Sequence, residues 1–351
     1  MNIVVLVKNL TSGGAEKQSV LLAISLCKLY NVTYVVFNDQ YVHQQYMDLL
    51  SQNPRINVLK CHGNLFSRFS QLTNYLKSNR VDCIFSYLTA ANAFAALAGK
   101  VAGVKSYFPG IRNAYLPPAK AIADRFITNR YATRTVLNCH SGKSYFLTQG
   151  FANEKMVVIP NCFENISAYT KKPEDNVTRI ITVGRFVAQK DYNTALKVIA
   201  SLKSNSANII FTIVGYGELE QEIRAQIKLL NLTEIVEVHI NPNNIPELLN
   251  RSHIYLSTSL FEGTSNSIME AMNADLPIVA TNVGDNNALI QENLNGFLCD
   301  VKDVDAIAGK LQCLITDPDR RAEMGKKSKE HLINEFSMDK FRESYVQLIE
   351  S

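Results

Sequence analysis

What this 351-residue chain lacks already excludes several chemistries. It has seven cysteines, an odd number, and none form a CxxC pair. Cys27, Cys61, Cys83, Cys139, Cys162, Cys299 and Cys313 lie mostly in apolar runs, so they read as small buried side chains in a reducing compartment. A disulfide framework or a zinc site would need another pattern. The six histidines show no HxxxH spacing. No run of about 18 apolar residues exists, so no membrane-spanning helix is expected. The nearest stretch, Cys83 to Gly99, is interrupted by Ser86, Thr89 and Asn92. Met1 to Val7 opens directly into a strand and is too short for the apolar core of a signal peptide. There is no GxGxxG, no Walker A motif and no nucleic-acid-binding signature. The net charge of +4 is too small to imply a nucleic-acid partner. Asp-x-Asp occurs at Asp303-Val304-Asp305 and Asp317-Pro318-Asp319, late in the chain and near helix ends, where the pattern reads as caps and turns. No metal site and no cofactor are assigned.

What is present is ample apolar material, 46% of residues, in a chain long enough for two cores. Short Val/Ile-rich runs alternate with helical patterns, the mark of parallel sheets covered on both faces. Strands are expected at 3–7, 32–37, 56–61, 82–87, 106–108, 135–138 and 157–160. After a polar, proline-containing linker they are expected again at 179–183, 209–214, 236–240, 254–258, 277–280 and 296–299. Helices fit 15–29 and 68–79 in the first half. In the second half they fit 193–204, 219–230, 245–250, 267–273 and 305–316, and Ser337 caps a last one over 338–349. The expected division is a first domain over 1–165, a linker over 166–178, a second domain over 179–335, and a terminal helix over 336–351 returning to the first domain. The fold class is α/β with two Rossmann-like parallel-sheet domains facing across a cleft at the carboxyl ends of their strands, where such sheets bind ligands.

The most informative stretch runs from Ser257 to Met272. A strand feeds a polar loop, Ser265 or Asn266 is a natural N-cap, and a helix follows. Glu262 falls in the loop and Glu270 near the first helical turn. Carboxylates beside the free amides of a helix N-terminus suit a ligand that carries both hydroxyls and phosphate. A polar loop in any α/β protein reads the same way. After the first strand comes Gly13-Gly14-Ala15-Glu16, where glycines let backbone amides approach a ligand, or simply pack a tight turn. After the first strand of the second half, Arg185 and Lys190 share one loop and can neutralise a diphosphate without a metal. Between Lys100 and Lys143 lie eight basic residues and a single acid, Asp124, interleaved with Tyr107, Phe108, Tyr115, Phe126 and Tyr131. Such a surface suits an anionic membrane or a lipid-linked phosphate acceptor, and equally a solvated face over buried aromatics.

Taken together these pieces resemble the family 4 glycosyltransferases of the GT-B architecture, in particular bacterial polysaccharide members. The motifs are collinear over essentially the whole chain. They are Gly13-Gly14-Ala15-Glu16, Ile159-Pro160-Asn161-Cys162, Val183-Gly184-Arg185 with Lys190, Val214-Gly215-Tyr216-Gly217, Glu262 with Glu270, and Gly296-Phe297-Leu298. The resemblance implies transfer of a sugar, with retention at the anomeric carbon, from a nucleotide-diphosphate sugar (a UDP-sugar favoured) to a saccharide acceptor that is lipid-linked. It implies that Glu262, Arg185 and Lys190 are catalytic. Glu262 would touch the transferred sugar and the two cations would hold the diphosphate. Gly13, Gly14, Glu16, Gly215, Gly263, Thr264, Ser265 and Asn266 would line the substrate, and Glu270 would hold the ribose. Arg112 or His140 would take the place of a histidine that many members carry in the first domain. A cytoplasmic protein, peripheral on the inner face of the membrane through the basic 100–143 region, is expected. The sequence departs from the family pattern at Asp191, Cys162 and Asp275, each where glycine is usual, and at Asn287-Ala288. A non-catalytic partner subunit, or a nucleotide-sugar epimerase of related fold, is the alternative.

Overall fold

The computed structural model describes residues 1–164, 166–168, 172–173, 175–204 and 208–351. The chain divides into two compact units, Met1–Glu164 with Phe336–Ser351, and Asn165–Glu335. Residue 165, at the end of the expected first domain, and residues 169–171 and 174 of the expected linker lie outside the described residues. The described part is tied to the second unit, where Ser167 N–H donates to Asn273 Oδ1 at 2.9 Å and Lys172 Nζ to the Ala274 carbonyl at 2.6 Å.

The first unit alternates β1 (Asn2–Val7), α1 (Gly14–Leu26), β2 (Asn31–Val36), α2 (Gln44–Ser51), β3 (Ile56–Lys60), α3 (Leu65–Ser78), β4 (Cys83–Tyr87), α4 (Thr89–Ala102), β5 (Ser106–Ile111), α5 (Pro118–Arg130), β6 (Thr135–Leu137), α6 (His140–Thr148) and β7 (Met156–Val158). The strands form one parallel sheet in the order β3-β2-β1-β4-β5-β6-β7. Val4, Val5 and Leu6 of the central strand are fully buried. Successive residues of a strand face opposite sides, so this uninterrupted apolar run places one core above the sheet and one below it. Strand β5 runs on through Pro109 and Gly110, three residues beyond the expected end at 108. A Cβ at Gly110 would lie 3.0 Å from the Ser86 carbonyl, so glycine there lets β5 keep close to β4 and carries the chain on to Arg112.

The second unit alternates β8 (Thr178–Val183), α7 (Tyr192–Ser204), β9 (Ile209–Gly215), α8 (Glu220–Leu229), β10 (Val236–Ile240), α9 (Ile245–Arg251), β11 (Ile254–Ser257), α10 (Asn266–Asn273), β12 (Ile278–Thr281), α11 (Asn286–Leu289), β13 (Gly296–Cys299), α12 (Val304–Thr316) and α13 (Pro318–Phe336). Its parallel sheet has the order β10-β9-β8-β11-β12-β13. Helix α14 (Met338–Glu350) belongs to the first unit. Its Phe341, Tyr345 and Leu348 are buried in the same core as Leu21 and Leu22 of α1.

Each sheet has one place where neighbouring strands send their following helices in opposite directions. It lies between β1 and β4 in the first unit and between β8 and β11 in the second. In open parallel sheets ligands bind at such a place, at the carboxyl ends of the strands.

Candidate functional site

At the switch point of the second unit the β8 and β11 loops are knitted together. Leu260 N–H donates to the Gln189 carbonyl at 2.8 Å, and Gln189 Nε2 to the Phe261 carbonyl at 2.7 Å. Thr258 Oγ1 donates to the carbonyls of Lys190 and Asp191 at 3.0 and 2.9 Å. These bonds fix the backbones that carry Lys190 and Glu262. The two side chains meet in an ion pair, Nζ to Oε1 at 2.6 Å, and Ser259 Oγ donates to the same Oε1 at 2.7 Å. Glu262 is 9% exposed. A cation and a hydroxyl thus both point at this enclosed carboxyl group. Arg185 lies in the same β8 loop as Lys190, its side chain exposed.

Glycines make this closeness possible. A Cβ at Gly215 would collide with the Gly184 carbonyl, and one at Gly284 with the Glu262 carbonyl. Gly217, at φ 151°, passes against the backbone of Phe186. Phe186 N–H in turn donates to the Tyr216 carbonyl at 2.7 Å, and its carbonyl accepts from Leu219 N–H at 3.0 Å. The Gly215 turn therefore serves as the floor under the Arg185 loop, with Phe186 buried between them.

One placement differs from expectation: Lys190 is not a free partner of Arg185, since its charge is already matched by Glu262. Ser265 is the N-cap of α10, as expected, and Glu270 lies one turn inside the helix, half-buried. Gly263, Thr264 and Asn266 do lie in the loop and first turn beside Glu262, with Thr264 buried.

In the first unit the switch point holds a cavity of about 260 Å³, lined among others by Lys8, Glu16, Leu88, Thr89, Arg112 and Asp124. Gly13 is the N-cap of α1, and the Glu16 carboxylate folds back over it into the space a Cβ would fill, accepting from Thr11 Oγ1 at 2.8 Å. Arg112 was counted with the basic surface as well as with the substrate residues. The structure corrects the first reading: it is only 9% exposed and stacks on the Tyr87 ring 4.5 Å away. His140 starts α6 beyond β6, is exposed, and does not line the cavity. Asp124 is a residue the motifs did not flag. It is 1% exposed and accepts from Thr89 Oγ1 at 2.6 Å and Asn92 Nδ2 at 2.9 Å. Burial pushes its carboxyl above the usual range, against those two hydrogen bonds. Its signal in the sequence was its isolation as the single acid in a basic segment.

The departures from the family pattern have local explanations. Asp191 has φ 45° and Asp275 φ 57°, the left-handed region where glycine is the default and aspartate is tolerated. Asp191 then serves α7, accepting from Thr194 Oγ1 at 2.7 Å, and Asp275 pairs with Lys329 at 2.7 Å. Cys162 has no such φ, and its N–H and carbonyl are both bonded by the Gln18 side chain. The Asp-x-Asp residues are caps: Asp303 accepts from Ala306 N–H at 2.9 Å and Asp317 from Arg320 N–H at 3.0 Å.

Residues 164–331 match the family described as glycosyl transferases group 1. A Campylobacter jejuni alpha-1,4-N-acetyl-D-galactosaminyltransferase, named for a diNAcBac-PP-undecaprenol-linked acceptor, is 25% identical over 99% of this chain and 98% of its own length. An Escherichia coli UDP-Gal:alpha-D-GlcNAc-diphosphoundecaprenol alpha-1,3-galactosyltransferase is 23% identical over 89% of this chain and 85% of its own. Among solved structures, Anabaena Alr3699/HepE in complex with UDP superimposes with a TM-score of 0.83 at 19% identity, over the whole of both chains. The two parallel-sheet units thus have the GT-B fold. The chain is a glycosyltransferase, and its second unit carries the group 1 glycosyl transferase domain.

Proposed function

We propose that this enzyme moves a sugar from a UDP-sugar to the saccharide end of a lipid-linked acceptor in bacterial surface polysaccharide assembly, with retention of configuration. The observation that carries the proposal is the Lys190–Glu262 ion pair at the second switch point, with Arg185 exposed in the same loop as Lys190. A sugar diphosphate brings hydroxyls and negative charge together, and this site offers a fixed carboxylate and two cations. In the reaction the bond from the anomeric carbon to the diphosphate oxygen breaks. The acceptor oxygen bonds to that carbon on the same face, and its proton passes to the departing phosphate. Arg185 stabilises the charge growing on the leaving group, Lys190 holds the Glu262 carboxylate, and Glu262 orients the sugar through its hydroxyls. The diphosphate is assigned to Arg185 and to no metal. The curated relatives named for undecaprenol-linked acceptors support the acceptor class, and the UDP complex of the structural neighbour supports the base.

Membrane contact follows from the acceptor. In the first unit α4 and α5 expose Leu97, Val101, Ile122 and Phe126 among Lys100, Lys105, Arg125 and Arg130, while the one acid of that segment, Asp124, is buried. Apolar side chains ringed by cations fit the headgroup region of an anionic leaflet. The seven cysteines are all free thiols, in keeping with the cytoplasmic face. Calorimetric titration with UDP, GDP and ADP in the presence of a chelator tests the donor assignment. Selective UDP binding is expected. Binding of GDP instead, or of UDP only after a divalent metal is restored, overturns the base or the metal-free step.

A further inference from the structure

We infer that the cavity at the switch point of the first unit is an oxyanion site for the acceptor, taking a phosphate or a carboxylate that the acceptor carries. The inference rests on the transferase reading above and adds a ligand class to a site that reading leaves empty of a role.

Arg112 is the central observation. Its guanidinium is permanently charged. Nη2 donates to Tyr345 Oη at 2.6 Å, while Nε and Nη1 are buried with no partner among the described residues. No ion pair joins it to either carboxylate of the cavity. Glu16 accepts from Thr11, and Asp124 accepts from Thr89 and Asn92. A buried cation that meets only a phenol hydroxyl and an aromatic face, with no carboxylate paired to it, is costly to hold. A fold does not acquire this feature by packing alone. It is held in place by Tyr87 from β4, by Tyr345 from α14 and by the end of β5.

A second set of donors faces the same space. Helix α4 begins at Thr89, and no side chain caps it. Thr89, Ala90 and Ala91 line the cavity, and the amides of a first helical turn have no intrahelical acceptor. The residue before them, Leu88, has φ 72° and ψ 152°, a conformation close to glycine-only space. The backbone is thus bent sharply where α4 starts at the cavity wall. Lys8 and Lys120 complete the positive lining. A guanidinium fork and uncapped helical amides converging on one cavity are complementary to an anionic oxygen cluster, because hydrogen bonds between two charged groups are stronger than those to a neutral hydroxyl.

The test is calorimetry on the full chain saturated with UDP, titrated separately with inorganic pyrophosphate and with glucuronate. Wild type, R112M, R112K, Y345F and R185A are compared. One of the two probes is expected to bind the UDP complex. Its affinity should fall at least tenfold in R112M, fall less in R112K and Y345F, and persist in R185A. The melting temperature of R112M should stay near that of wild type, removal of a buried charge offsetting the lost bond to Tyr345. A response to pyrophosphate alone identifies a phosphate-bearing acceptor, and a response to glucuronate alone a uronic acid. The inference is overturned if neither probe binds the UDP complex, or if the Arg112 and Tyr345 variants bind as wild type does. It is equally overturned if R112M loses UDP affinity, which would assign Arg112 to the donor. Should R112M fail to fold, R112K and Y345F carry the same comparison. Absence of UDP binding to wild type would instead refute the donor reading, a distinct outcome.

Discussion

Glu262→Gln is the perturbation that most directly tests how the second switch point is held. Glutamine keeps the shape and can still accept from Ser259 Oγ, but it removes the charge that faces Lys190 across 2.6 Å. Removing one partner of a fully buried pair costs about 3–5 kcal/mol, because the other charge stays buried and unpaired. Here the Lys190 side chain is 18% exposed and that of Glu262 9%, so water still reaches the ammonium and the lower end applies. We expect about 2–3 kcal/mol for Glu262→Gln and a similar loss for Lys190→Met, on the same footing. The double variant should lose less than the sum, with a coupling of about 1–2 kcal/mol. The assay is urea unfolding followed by a probe of the second unit, because a two-unit chain need not unfold in one transition. Sugar transfer and UDP binding are measured on the same samples. Transfer should collapse in Glu262→Gln while UDP affinity survives, since the carboxylate is assigned to the sugar. If both single variants cost under about 0.5 kcal/mol and add independently, the pair is a surface contact of the usual small worth and the geometric argument fails. Wild-type turnover in Glu262→Gln would remove that residue from the reaction.

Other perturbations have equally specific outcomes. Arg185→Ala should cost about 1.5–3 kcal/mol of UDP affinity, the worth of a charged hydrogen bond, with unfolding unchanged because the side chain is exposed; unaltered affinity in the titration would place the diphosphate elsewhere. Gly215→Ala drives a methyl group into the Gly184 carbonyl, so a loss of about 3 kcal/mol and of UDP binding is expected, and a folded, active variant would show the loop to be pliable. Asp191→Gly should be nearly neutral in unfolding, relief of the left-handed backbone offsetting the lost bonds to Thr194, whereas Asp191→Ala loses both and should cost about 2 kcal/mol. His253 supplies a pH dependence. Its Nδ1 accepts from Arg179 N–H at 2.9 Å, so the ring is neutral, and burial, aided by nearby Arg321, Arg179 and Lys172, holds its pKa down to about 4. The unfolded chain binds the proton near pH 6.5, so stability should fall as pH drops from about 6.5 to about 4, by about 2–3 kcal/mol in all. That slope should be missing in His253→Gln, and its persistence there would assign it to other groups.

Legibility in the sequence divides along a physical line. Strands of a parallel sheet are buried on both faces, so β1, β2, β9 and β11 are nearly continuous apolar runs and fall within a residue or two of where they were expected. Helices that are mostly solvated carry a weaker pattern. Helix α13 is dominated by charged and polar residues, and α5 exposes Ile122 and Phe126, which blurs its inner face, so neither was singled out. Cys162 and Asp191 show the same division within the site. As letters both depart from glycine, yet only φ distinguishes a substitution that must bear a left-handed backbone from one that need not.

Long-range pairing was out of reach for a different reason. Lys190 and Glu262 lie 72 residues apart, and each loop was recognisable alone as a ligand loop. That they neutralise one another depends on β8 lying next to β11, a strand order that local periodicity does not encode. Arg112 makes the same point more sharply. In the sequence it is one of eight basic residues in a surface-like segment, and a substrate candidate only through the family resemblance. Its burial is created by Tyr345, 233 residues later, on a helix that packs back against α1. Residue type and spacing thus identify which loops can meet a ligand. Sheet order and the returning helix decide which charges in those loops are already satisfied, and so which remain for a substrate: Arg185 in one unit, Arg112 in the other.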